Sequence, residues 1–470
     1  MAKDTKLMEL EKRSIMPLLL SYSLPAVTGM VAMSLYNIVG AIYVGQWCSP
    51  DAVAAMALVF PALNLMVAVG TLVGLGSAAS ASLALGQGKR KRAQKILGHC
   101  LVLSFLSSVI VGWLPLPWLR EVNLMFGAKE GSTLEPACDY MMVLMLWFPF
   151  NSVFLGLNHL MRASGYPIKA MVSLIISMVV NVAIAPLFIY VLGWGIAGAG
   201  IATAVAQTVG LVWVMLHFFR KDVILRFTRG IFSINRHISA KICTIGLPPC
   251  LLNIVACLIV LKFNMLFDEY APAGDGEMVV GSYGVVNRVI FVFVMVVAGI
   301  TQGMQPIAGY NQGLGQYCRV RRVLFHAMIL ATAVTTLGTL LMQLFPYEIV
   351  SLFVNESNEK DAAKAQTLIS SAEYGITVVS LIFPFVGSQI VISNFFQAIG
   401  RPVMSIFLTL TRQLIFLFPC LLILPGLFGV TGIWYSQVVA DVLAVLMGFT
   451  VITLFLHKVF PKKDVCLQNR

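Results

Sequence analysis

Arg162-Ala-Ser-Gly165-Tyr-Pro167 closes one long apolar stretch and opens the next, and 235 residues later Gln397-Ala-Ile-Gly400-Arg-Pro402 does the same. Three further matches keep the same order at nearly the same offset. Leu24-Pro25 pairs with Leu247-Pro248, Leu85-Gly-Gln-Gly88 with Gly313-Leu-Gly315, and Gly195-Ile-Ala-Gly198 with Gly429-Val-Thr-Gly432. Any one pair is explained by glycine ending a helix; four in one order indicate a duplicated unit. Two like halves that rock around a shared site can expose it to alternate sides of a bilayer, so the duplication predicts a transporter.

With 59% hydrophobic and 11% charged residues over 470 positions, the chain has too little polar surface to cover a water-soluble globule. A helix needs roughly 20 residues to cross the hydrocarbon, and twelve apolar stretches qualify: 16–45, 52–85, 95–117, 136–161, 168–192, 197–219, 239–267, 279–306, 321–345, 370–396, 403–425 and 429–457. The expected fold is an all-α integral membrane protein of two pseudo-symmetric six-helix lobes. An even number of spans per copy gives both lobes the same orientation. The first lobe is expected over 1–222 and the second over 239–460, joined by a basic linker at 223–238 and followed by a tail at 461–470. Prolines 25, 61, 248, 249, 306, 384 and 419 fall inside spans, where membrane helices tolerate them if neighbours satisfy the freed carbonyls.

The net charge of +12 is a topological signal. Twenty-five of the 32 Lys and Arg residues lie in the termini and even-numbered connections, and fourteen of the twenty acids lie on the opposite side, among them Asp268, Glu269, Asp275 and Glu277. By the positive-inside rule both termini and the Lys89–Lys95 and Arg220–Lys241 connections face the cytoplasm of a cell (inner) membrane protein. The basic balance therefore implies lipid as the solvent and no nucleic-acid partner. Charged residues through Arg13 lead into an apolar stretch too long for a cleaved signal. Nine scattered cysteines without a CxxC pair read as small buried hydrophobes, and six histidines show no metal spacing. With no cluster of catalytic groups at one depth and no GxxxxGK loop, neither an enzyme nor a direct ATPase is expected.

Tyr36-Asn-Ile-Val-Gly-Ala-Ile-Tyr-Val-Gly45, the stretch from Arg162 to Pro167, Asn181 to Ile189, and Gln302-Gly-Met-Gln-Pro-Ile-Ala-Gly-Tyr-Asn311 together resemble the multidrug and toxic compound extrusion (MATE) transporters, most closely their bacterial DinF-like branch. The resemblance covers nearly the whole chain. It implies secondary active efflux of small amphipathic, often cationic compounds, with no cofactor beyond a proton or sodium as coupling ion, from a monomer. It also implies an aspartate in span one and another in span five, where this chain has Gly40 and Ala185. Flipping of a lipid-linked oligosaccharide and export of an anionic metabolite are the alternative functions.

A charge at the bilayer centre costs at least about 2.5 kcal/mol, so it needs a partner, a cavity or a function. Asp441, about eleven residues into span twelve and so roughly 16 Å from its outer end, is the only acid at depth. Arg412 in span eleven and Arg288 in span eight share the depth. Asp441 reads either as a buried ion pair with one of these arginines that fixes packing, or as a carboxylate that exchanges an ion during transport, and a pair that breaks in one state serves both. The repeat aligns Gln207 with Asp441, which leaves the charge on one copy. Asn37, Asn158, Asn181, Gln207, Asn287, Gln302, Gln305 and Gln397 are candidate cavity residues, each weighed against an interhelical hydrogen bond as its role. Three bases against one acid in the spans fit an anionic or zwitterionic substrate as well as a cationic one.

Overall fold

The computed structural model describes residues 2–48, 50–126, 128–228, 230–271, 276–353 and 362–459. The expected tail at 461–470, Asp275 and the side chains of Asn37 and Glu277 lie outside the described residues. Among the described residues there is no strand. A short helix, Ala2–Lys12, precedes the first span.

The first half contributes Ile15–Trp47, Pro50–Gly86, Arg90–Trp113, Leu134–Ala163, Pro167–Pro186 and Gly195–Phe219. The second contributes Arg236–Tyr270, Gly276–Leu314, Tyr317–Leu344, the bent pair Ala362–Ser380 and Phe383–Ala398, then Pro402–Leu410 continuing to Phe428, and Val430–Val459. Eleven helices are long and apolar enough to cross a membrane, and the bent pair makes twelve. Each expected span has its helix.

The bend shows how a repeat position acquires different geometry. Pro149 and Pro384 each stand fourteen residues before the alanine that ends span four or ten. Span four runs on as one helix through Pro149, whereas span ten turns by 59° between Ser380 and Phe383. Side chains of span nine donate to carbonyls on both sides of this break. Thr335 Oγ1 donates to the Pro384 carbonyl at 2.9 Å, Thr339 Oγ1 to Ser380 at 3.1 Å, and Gln343 Nε2 to Thr377 at 2.8 Å. These donors recur every four residues along one face of span nine, the spacing that places them above one another. A broken helix persists in lipid only with such satisfaction.

The chain divides into two compact units that cut across the repeat. The first comprises Met1–Ile254, Gln302–Gln316 and Gln397–Pro402; the second comprises Val255–Thr301, Tyr317–Phe396 and Val403–Arg470. Within the first unit, spans two and seven touch backbone to backbone. A Cβ on Gly246 would overlap the Leu72 carbonyl and one on Gly76 the Ile242 carbonyl, so glycine is required at this crossing. Val44, Ala52, Ala55, Val59, Met141 and Ala185 belong to a core of small and flexible side chains in this unit. The second unit packs around aromatics: Phe267 meets Trp434 at 4.8 Å between centroids, and Phe263 stacks on Tyr283 at 4.8 Å. Of the cysteines, Cys100 and Cys250 are buried, while Cys48, Cys138, Cys243, Cys257 and Cys420 are only half-buried. In a membrane protein lipid solvates an apolar thiol as well as a core does, so burial is not demanded of it.

Candidate functional site

In the second unit, span eleven leaves α-helical geometry over Thr411–Leu417, which forms π turns. Such bulges insert a residue into the helix and re-aim its side chains, and they recur at functional positions. Arg412 lies in this stretch, and its Nε donates to Asp441 Oδ1 of span twelve at 2.8 Å. Gln437, one turn before Asp441, donates from Nε2 to Oδ2 at 3.2 Å. The Asp441 side chain is 5% exposed and that of Arg412 20%. Among the described residues Asp441 is the only buried carboxylate. Both its oxygens are satisfied by donors, which is what a charged carboxylate needs away from water. Gln413, the neighbour of Arg412, has a buried Oε1 without a partner among the described residues.

Of the two arginines available from sequence, the structure pairs Arg412 with Asp441. Arg288 is exposed and makes no ion pair among the described residues, and Asn287 beside it is exposed too. A bare guanidinium this far along Gly276–Leu314 is costly against lipid, so its head must reach water.

The repeat counterparts of Arg412 and Asp441 in the first half are Ser177, ten residues after Pro167 as Arg412 is after Pro402, and Gln207. They are not hydrogen-bonded to each other: Ser177 Oγ donates to its own helix at Ser173, and Gln207 is half-buried without a side-chain hydrogen bond among the described residues. That helix pair is joined instead by Asn181 Nδ2 donating to Thr203 Oγ1 at 3.2 Å. Asn158 donates to the Ala170 carbonyl at 2.9 Å and to Ser173 Oγ at 2.7 Å, which ties span four to span five. Gln305 and Gln397 donate to the backbone carbonyls of Leu75 and Ile245 at 3.2 and 3.1 Å. With Gln302, which bonds to spans four and one, five of the candidate amides are therefore engaged in interhelical hydrogen bonds. At the positions of the missing acids, Ala185 is 1% exposed within the apolar core of the first unit, while Gly40 has no atom within 4 Å of where its Cβ would stand.

Sequence reasoning passed over Arg162, although the residue opens the motif that revealed the duplication. A base at the end of a span ordinarily reaches for water. Arg162 instead is 7% exposed, and its guanidinium donates to Gln302 Oε1 of span eight and to His159 Nδ1 at 2.8 Å. Gln302 in turn donates to Met30 Sδ at 3.3 Å. The repeat counterpart of Arg162 is Gln397, which likewise reaches across to another helix. The recoverable signal was this equivalence: one bonding position, filled by a charge in one copy and an amide in the other.

Relatives share this architecture from end to end. The multidrug export protein MepA of Staphylococcus saprophyticus is 23% identical over 471 residues, covering 99% of this chain and all of the relative. Among solved structures, a ligand complex of the MATE multidrug transporter DinF-BH superposes with a TM-score of 0.85 at 30% identity, covering 96% of this chain and 98% of that one. A transporter of the MOP superfamily from Pyrococcus furiosus has the same fold, with a TM-score of 0.89 at 22% identity over 97% of this chain and 98% of its own. The MatE family pattern matches residues 25–187 and 253–422, one block in each copy of the repeat. With the twelve spans in place, the chain belongs to the MatE family, the multidrug and toxic compound extrusion transporters, and is a multi-pass membrane carrier rather than an enzyme.

Proposed function

We propose that this protein exports amphipathic small molecules by alternating access, driven by an inward proton or sodium gradient that acts through Asp441. The observation that carries the coupling assignment is the buried carboxylate bridged by Arg412 and Gln437 across spans eleven and twelve. Neutralising it by a proton, or drawing it to a sodium ion, would weaken the acceptor that holds two donors and favour a different packing of these helices. The family match and relatives named as multidrug exporters support the efflux reading. The protein acts as a monomer in the cell membrane with both termini in the cytoplasm, an orientation that the one-sided distribution of Lys and Arg supports.

The exposed, unpaired Arg288 favours a second reading of substrate charge. A wet guanidinium at depth recruits an anionic or zwitterionic compound as readily as its absence would favour a cation. Purified protein in proteoliposomes, given a cationic or an anionic fluorophore under an imposed pH or sodium gradient, tests both readings. Gradient-dependent movement of either dye supports export. Transport that ignores both gradients removes the coupling assignment.

A further inference from the structure

Away from the polar centres, the first unit carries a small cleft between the inner ends of spans two, three and seven. Ser80 and Gln87, Arg92, and Lys241 line it from these elements in turn, and no carboxylate does. Lys241 is half-buried, and Arg92 and Lys89 stand close enough to repel its ammonium. None of the three cations has a salt-bridge partner among the described residues. Like charges gathered without a counter-ion destabilise one another, a cost that a bound anion removes. Two further features point into the same place. Ser80 is 4% exposed, yet its Oγ has no hydrogen-bond partner among the described residues, so a donor hydroxyl stands ready at the wall of the cleft. Span three starts here at Arg90, and its N-cap residue Lys89 gives no side-chain cap, so the positive end of a 24-residue helix dipole opens beside the cleft.

We propose that this cleft binds one phosphate group, carried by an anionic lipid headgroup or by free phosphate. Arg92 and Lys241 supply charge-assisted hydrogen bonds, Lys89 supplies long-range attraction, and Ser80 donates one neutral hydrogen bond. Basic clefts between membrane helices near the cytoplasmic surface suit such groups because the apolar walls accommodate acyl chains below the headgroup.

The test uses the full chain in detergent, with phosphatidylglycerol or phosphatidylcholine added and retention read by native mass spectrometry. A parallel thermal-unfolding series compares inorganic phosphate with chloride at matched ionic strength. The wild type is expected to retain phosphatidylglycerol over phosphatidylcholine. Arg92→Gln with Lys241→Gln should weaken retention by about tenfold, whereas Lys458→Gln, an exposed charge at the end of span twelve, should leave it unchanged. Ser80→Ala, which alters no charge, should weaken it by about threefold. A rise in Tm with phosphate as well as lipid assigns free phosphate, and a response to lipid alone assigns the headgroup. The proposal is overturned by no response to either probe, or by equal loss in Lys458→Gln and the cleft variants.

Discussion

Arg412 Nε lies 2.8 Å from Asp441 Oδ1, while Ser177 and Gln207, the residues at the same repeat positions in the first half, share no hydrogen bond among the described residues. Among the described residues one scaffold thus carries an ion pair on spans eleven and twelve and a neutral hydrogen bond, Asn181 to Thr203, on spans five and six. The duplication supplies a symmetric frame for movement. Its unequal chemistry says which copy has a charge to exchange.

If Asp441 couples transport, Asp441→Asn keeps the shape and loses the charge, and the response of export to an imposed gradient should fall about tenfold, the scale of an ordinary coupling free energy. Stability separates this from a packing role. Losing one partner leaves Arg412 uncompensated, at a cost of about 1–3 kcal/mol because its side chain is partly wet. Replacing both, as Arg412→Met with Asp441→Leu, should recover most of that stability without restoring coupling. Thermal unfolding and proteoliposome flux on the same variants decide the matter. A double variant that is both stable and coupled would refute the assignment.

Arg162→Lys should destabilise the first unit although it conserves charge. A planar guanidinium reaches Gln302 and His159 at once, and a single ammonium on a flexible stem cannot hold both directions equally well. The expected loss is about 1–2 kcal/mol, read as a lower Tm in detergent, with Arg162→Ala losing more.

Gly246→Ala sets a methyl group against the Leu72 carbonyl, which is backbone and cannot swing aside. Spans two and seven would have to separate, at about 1–3 kcal/mol. Gly284→Ala is the matched control: nothing lies within 4 Å of its Cβ, so it should be neutral or stabilise slightly by restricting the unfolded chain. Tm values for the two variants should move apart.

Restoring the absent acids should not be symmetric either. Gly40→Asp enters open space, whereas Ala185→Asp puts a carboxyl at a position that is 1% exposed and belongs to the apolar cluster holding Val44, Ala52 and Met141. The first variant should lose less stability than the second, which should lose about 2 kcal/mol or more, as read from Tm. A gain of proton- or sodium-dependent flux in Gly40→Asp would show that the first half can still respond to a charge there.

The twelve spans and the duplication were legible because hydropathy and helix punctuation are local: each stretch is long enough to cross, and Gly165-Tyr-Pro167 or Gly400-Arg-Pro402 marks where it stops. Asp441 was legible for a similar reason, since one acid in an apolar stretch needs no neighbours to be conspicuous. Its partner was not. Arg412 and Arg288 share a depth, and the choice between them depends on how spans eight, eleven and twelve pack, which includes π turns over Thr411–Leu417 that no residue pattern in the span announces. Arg162 was hidden because a base at the end of a span ordinarily reaches water, and only the approach of Gln302 from 140 positions away makes a buried role available to it.

Sequence by itself determined what must lie in lipid and how often the chain crosses, because the cost of exposing polar groups to hydrocarbon acts residue by residue. Tertiary structure alone decided which polar groups meet. Hydrogen bonds and ion pairs extend only about 3 Å, so they depend on helix rotation, on the bend beside Pro384 and on the glycine crossings that bring distant segments together.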